Sequence, residues 1–208
     1  MIWFISAYDV HVYICINHRF NDRITFNSEL EVEHSLSGDD KPGEVELEQA
    51  YIDMAFDGGM HLKAGLFLVP VGTLNERHEP DTFYSVHRPI MYKYIVPSSW
   101  MEGSTGFFGD IPQVEGLSYF FLLSQGLSSR DDTIQDGGNG VRGVRPGLDT
   151  SGDAEDKLAY TFRLAYDGSG SSREWLKGFS GSTSTYIGNY EETGIATDTT
   201  AILWDVEG

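Results

Sequence analysis

Apolar and polar residues alternate one for one over stretches long enough to fix the class of this chain. From Arg23 to Glu33 the odd positions are Arg23, Thr25, Asn27, Glu29, Glu31 and Glu33, while the even ones carry Ile24, Phe26, Leu30 and Val32, broken by Ser28. Lys157–Asp167 sets Leu158, Tyr160, Phe162, Leu164 and Tyr166 against Lys157, Thr161, Arg163 and Asp167. Met60–Leu68 sets Met60, Leu62, Ala64, Leu66 and Leu68 against His61, Lys63 and Phe67. A side-chain period of two belongs to a β-strand with one apolar and one polar face.

Weaker alternation marks Asp9–Phe20 and Glu44–Phe56, the latter with a phase slip near Gln49 that predicts a β-bulge. Glu102–Gly109, Leu117–Gln125, Trp175–Thr185 and Thr199–Val206 complete a set of about nine strands with no convincing helix. The 24 glycines and an aromatic content of 13% suit such a turn-rich all-β chain. The joins alternate in length. Asn21-Asp22, Asp57–Gly59, Asp110–Glu115 and Gly168–Ser172 are short, whereas Ser35–Gly43, Val69–Met101, Leu127–Asp156 and Tyr186–Asp198 are long. Tight turns at one rim and large loops at the other describe an antiparallel up-and-down transmembrane β-barrel. A soluble jelly-roll glycan-binding module or glycoside hydrolase is the alternative, because a sandwich strand alternates too.

Charge and cysteine content narrow the function classes. With 14 Lys plus Arg against 32 Asp plus Glu, the net charge is -18, and no nucleic-acid partner is expected. The single cysteine, Cys15, excludes an internal disulfide framework and reads as a quiet structural thiol. No apolar run reaches the roughly 18 residues of a spanning helix. The N-terminal stretch lacks the basic start and small-residue cleavage site of a signal peptide, and Thr199–Gly208 stops in mid-strand. An open sheet leaves two unpaired edges, which lipid does not tolerate. The chain therefore reads as residues 1–208 of a longer protein: one partial barrel domain, its signal peptide and C-terminal strands lying elsewhere.

Several segments carry a family resemblance: Phe26-Asn27-Ser28-Glu29-Leu30-Glu31-Val32-Glu33-His34, then Glu44-Val45-Glu46-Leu47-Glu48-Gln49-Ala50-Tyr51-Ile52-Asp53. Ala64-Gly65-Leu66-Phe67-Leu68-Val69-Pro70-Val71-Gly72, Asn75-Glu76-Arg77-His78-Glu79-Pro80 and Arg88-Pro89 follow. Ile95-Val96-Pro97-Ser98-Ser99-Trp100-Met101-Glu102-Gly103, Gly143-Val144-Arg145-Pro146 and Ala201-Ile202-Leu203-Trp204-Asp205 complete it. This succession resembles porin-like outer-membrane proteins related to the phosphate-selective porin O and P family. The resemblance implies a barrel in the outer membrane of a Gram-negative bacterium, often homotrimeric and in contact with outer-membrane lipid. It also implies passive passage of small hydrophilic solutes or ions, anions such as phosphate among them, with no cofactor and no enzymatic reaction. One departure stands out: phosphate selectivity needs a bore dense in Lys and Arg, and this chain has 14 in all.

Strict alternation makes Lys63 and Arg163 the best lumen charges, with Arg23 beside them; cross-strand pairing to carboxylates is their structural reading. Val69–Met101 is long enough to fold into a bore and narrow it, presenting Glu76, Arg77, Glu79, Asp81 and Arg88, or else to lie outside as a surface loop. Glu29 and Glu31, with Glu33, stand at two-residue spacing. They form a solvated polar face, a Ca²⁺ site with Asp39 and Asp40, or the acid pair of a glycosidase. Tyr84, Tyr92, Tyr94 and Trp100 are candidates for an interfacial aromatic girdle or for loop packing. His78-Glu79 lacks metal-ligand spacing, and no nucleotide, hydrolase or redox signature occurs.

Overall fold

The computed structural model describes residues 12–33, 44–77, 89–96, 99–127, 158–191 and 198–207. Nine antiparallel strands form one sheet in sequence order: β1 (Val12–Arg19), β2 (Ile24–Glu33), β3 (Glu44–Ala55), β4 (Met60–Leu68), β5 (Met101–Asp110), β6 (Leu117–Ser124), β7 (Ala159–Asp167), β8 (Ser180–Glu191) and β9 (Asp198–Glu207). The meander is not closed, since β1 and β9 do not pair with each other. Its sequential order is also not the two-sheet Greek-key order of a jelly roll.

The expected strands lie within a few residues of the observed ones, with one exception. β8 begins at Ser180, not Trp175, because Glu174–Leu176 forms a turn of 3-10 helix. Residues 168–179 are thus a longer join than expected and 192–197 a shorter one, so the strict alternation of join lengths breaks at the last two. Two single-turn helices also occur where none was expected: α1 (Thr73–Glu76) and α2 (Met91–Tyr94). The bulge falls where the phase slips, Glu29 pairing with Gln49 and Leu30 with Leu47, which leaves Glu48 as the extra residue.

The register sorts side chains onto two unlike faces. One rung runs His18, Phe26, Ile52, Ala64, Thr105, Leu123, Tyr160, Ile187, Ile202 across all nine strands. Another runs Ile24, Met54, Leu62, Phe107, Phe121, Phe162, Thr185, Trp204. Among the described side chains of this apolar face there is no Asp, Glu, Lys or Arg. Much of it is uncovered: Ile14, Phe107, Phe121, Phe162, Ile187 and Ile202 are exposed, and Trp204 retains 70% of its surface. Only at the long-join end are Leu66, Leu68 and Met101 buried, packed with Leu47.

The main core lies on the opposite, polar face. Phe67, Leu122, Ala159 and Tyr186 of the strands meet Val69, Val71, Tyr92, Val96, Trp100 and Leu127 of the joins. A chain with its core on one sheet face ordinarily wets the other with charge; here the uncovered face is the apolar one.

Candidate functional site

The polar face and the segment that crosses it form the candidate site. After β4 the chain turns onto the polar face as a strap over β7, β8 and β9. At its base the Val69 amide donates to the Trp100 carbonyl (2.9 Å). Fully buried Asn75 staples the two ends: Nδ2 donates to the carbonyls of Val69 (2.7 Å) and Trp100 (2.9 Å), and Oδ1 accepts from the Trp100 amide (2.8 Å). One side chain thus gives the Trp100 amide its partner and adds a second donor to two carbonyls that already accept from the Val69 and Val71 amides.

Across the sheet, the Gly72 amide donates to Ser184 Oγ (3.1 Å), and the Thr73 amide and hydroxyl both donate to Glu207. Ser184 is itself held by Asp205, which accepts from its amide (2.9 Å) and hydroxyl. Gly72 sits at φ 70°, and a Cβ there would come within 2.8 Å of the Tyr92 ring, so both backbone and packing require glycine. Beneath the strap, Trp100 packs on Tyr186 with ring centroids 4.8 Å apart. Its Nε1 donates to Glu102 (2.8 Å), whose other oxygen accepts the Gly126 amide (3.0 Å). Glu102 is fully buried, and these two donors anchor its carboxyl group.

Lys63 and Arg163 both stand on the polar face, as alternation requires. Arg163 pairs with Glu76 at the end of α1, so its carboxylate partner comes from the strap and not from a neighbouring strand. The Lys63 ammonium lies 3.8 Å from the Tyr51 ring centroid and 4.4 Å from that of Phe67. Gly65, opposite Tyr51, lets the two backbones approach closely: a Cβ at Gly65 would lie 2.7 Å from the Tyr51 Cα. Arg23 stands at the tight-turn rim, paired with Asp57 of the next turn (2.8 Å), and Arg19 pairs there with Asp22 (3.0 Å). Arg77 follows α1 and is exposed.

Glu29 and Glu31 lie on the polar face of β2. Glu29 accepts from Gln49 Nε2 (2.8 Å), with Cys15 Sγ 3.9 Å away, whereas Glu31 is buried opposite Glu46. Glu79, Asp81 and Arg88 lie outside the described residues, as do Asp39 and Asp40 of the Ca²⁺ alternative and Tyr84 of the girdle. Among the described residues, no group of three or more His, Cys, Asp or Glu could hold a metal ion. Tyr92 and Trp100 are core residues beneath the strap rather than girdle residues.

Between the strap and the tight-turn rim an open cleft of about 310 Å³ remains on the polar face. His61, Glu76, Phe108, Asp110, Phe120 and Arg163 line it. His61 Nδ1 lies 2.8 Å from Asp53, and its ring stacks on Phe108 at 4.9 Å. The described residues that line it offer fixed charges and aromatic surface, with no nucleophile aligned on a base among them. Sequence reasoning missed Asn75, Glu102, Ser184 and Glu207. The signal available for the first two was a polar residue set among the apolar Val69, Val71, Trp100 and Met101.

No family model matches the chain. A protein of Aquifex aeolicus, described as an uncharacterized protein, is 32% identical over 160 residues, which cover 72% of this chain and 33% of that protein. The chain therefore spans about a third of the length of the relative it matches.

Proposed function

We propose that the chain forms part of the wall of a closed β-barrel in the outer membrane of a Gram-negative bacterium, and that the barrel is a pore for passive diffusion of small hydrophilic solutes. The observation that carries this reading is the inversion of the sheet: charged side chains lie on the face with the core, while the apolar face, free of charge among its described side chains, stands largely uncovered. Such a face suits hydrocarbon, and only a closed sheet leaves no unpaired backbone edge there. β2, β3, β4, β5 and β7, at 9–12 residues, match the roughly 9–11 needed for a tilted crossing. The relative extends well beyond the matched segment, which leaves room for closing strands in a protein of that length.

In this reading the strap lies inside the bore and narrows it, and the cleft beside Arg163 and Glu76 is the remaining passage. No reaction and no cofactor are assigned. Trimeric assembly belongs to the same proposal and rests on the family resemblance alone. The test is reconstitution of the full-length protein in planar bilayers: stepwise ohmic conductance is expected, with larger steps when residues 73–77 are replaced by a short Gly-Ser link. A full-length protein that stays in the aqueous phase and carries no current would overturn the proposal.

A further inference from the structure

Resting on the pore reading, we infer that the cleft on the polar face is a binding site for a small neutral sugar, a pyranose ring that docks on the wall as it moves through the passage. The site is built on one rung of the sheet. His61, Phe108, Phe120 and Arg163 pair in succession across β4, β5, β6 and β7, so strand register alone sets three rings and a guanidinium side by side.

The rings form a continuous stack. His61 lies 4.9 Å from Phe108 with the planes 30° apart, and Phe108 lies 5.5 Å from Phe120 at 13°. Both ends are held, His61 Nδ1 by Asp53 at 2.8 Å and Phe120 by the core ring of Phe67 at 6.3 Å. Phe120 packs at the edge of the core beneath the strap, whereas Phe108 and His61 lie outside that core and line the cleft. A fixed aromatic surface on the water-facing side of the wall, beyond the part that seats the strap, is a platform for the apolar face of a ligand arriving from water.

The charges beside the stack choose the ligand. Arg163 is already paired with Glu76 of the strap, and Asp110 lines the cleft at the tight-turn end of β5. An anion would have to displace Glu76 from Arg163 and lie close to Asp110, and an organic cation would have to displace Arg163 from Glu76. A neutral polyol meets neither cost. Its hydroxyl groups both accept and donate, so they can bond the guanidinium and the carboxylates while the ion pair stays intact. A pyranose carries such hydroxyls around its edge and C–H groups on its faces, which match the charges and the rings in turn. The volume of about 310 Å³ is at the small end of the roughly 300–1,000 Å³ of small-molecule sites, which suits a monosaccharide rather than a long chain. An open cleft binds such a ligand weakly, as a passage requires if the ligand is to leave again.

The experiment uses the full-length protein in planar bilayers in symmetric KCl, with D-glucose and sorbitol as probes. Both are hydroxyl-rich and of similar size, but only glucose presents a ring face. Glucose is expected to lower the conductance saturably, and sorbitol only as far as it lowers the conductivity of the solution. Phe108→Ala should raise the glucose concentration for half block several-fold. Saturation-transfer NMR on the detergent-solubilised native protein reads the same binding with neither a current nor a variant, and transfer to glucose but not to sorbitol is expected. Equal effects of the two probes in both measurements, or a glucose block that Phe108→Ala leaves unchanged, would overturn the inference while leaving the pore intact. A membrane-inserted protein with no conductance would overturn the pore reading; transfer to glucose alone would then still support the site, and its absence would overturn it.

Discussion

The polar face behaves differently at its two ends. Over β1–β3 it carries Tyr13, Asn17, Thr25, Asn27, Glu29, Gln49 and Asp53, without an aliphatic side chain between the rims; such a surface cannot form a dry core. Over β4–β9 it carries Phe67, Phe108, Phe120, Leu122, Ala159, Tyr186 and Leu203, and there the strap packs down. The two halves share one sheet and one apolar face but differ in what they carry; in the proposed pore the first would line the passage and the second would hold the segment that narrows it. Hydrophobic content on the polar face therefore marks where the chain folds back on itself, and its absence marks where water belongs.

The comparison breaks most sharply at the buried ring beneath the strap. Trp100→Ala should destabilise the full-length protein by about 3–5 kcal/mol in urea unfolding. Asn17→Ala, on the wet half, should stay within about 0.5 kcal/mol. Equal costs would mean the two halves are not distinct.

The staple comes next. Asn75→Ala takes the partner of the Trp100 amide and one of the two donors of each carbonyl at the strap base, and should cost about 1–3 kcal/mol. Faster proteolysis within residues 69–77 should accompany it; unchanged protection would show that packing alone holds the strap. A smaller effect is expected at Lys63→Met, which keeps the packing but removes the charge over Tyr51 and Phe67, a contact worth about 0.5–2 kcal/mol. The exposed rim pair is the weakest case: Arg23→Ala should change stability by no more than about 1 kcal/mol, because both partners are largely solvated. Together the substitutions at Trp100, Asn75, Lys63 and Arg23 rank the strap above the packed wall and the packed wall above the rim. Any inversion of that order would relocate the core.

Much of the sheet was legible because alternation is a local property. Met60–Leu68 coincides with β4, and the phase slip near Gln49 is the Glu48 bulge. β8 was misplaced for a physical reason: Trp175, Leu176 and Phe179 imitate strand apolarity in a turn. Ser180, Gly181, Ser182, Thr183 and Ser184, by contrast, form the true strand without any apolar contrast between faces. The face of Lys63 and Arg163 could be read, but their partners could not. Whether Arg163 meets a neighbouring strand or the strap depends on where a long join lands, and no periodicity encodes that. Tyr92 and Trp100 looked suited to an interface because ring chemistry is the same at a girdle and in a core. Asn75 shows the same limit, since only the tertiary approach of Val69 and Trp100 gives its amide three partners.

The central claim is that the apolar face meets lipid and the polar face meets water. Site-directed spin labelling tests it most directly. Single cysteines would be placed at Asn27, Glu29, Phe162, Ile187 and Ile202 of the full-length protein in lipid vesicles, with Cys15→Ser as background. The account predicts that labels at Phe162, Ile187 and Ile202 are accessible to oxygen and shielded from a water-soluble nickel chelate, and that labels at Asn27 and Glu29 show the reverse. Labels on the apolar face that are reached by the nickel chelate, or shielded from both reagents as in a dry protein contact, would contradict it.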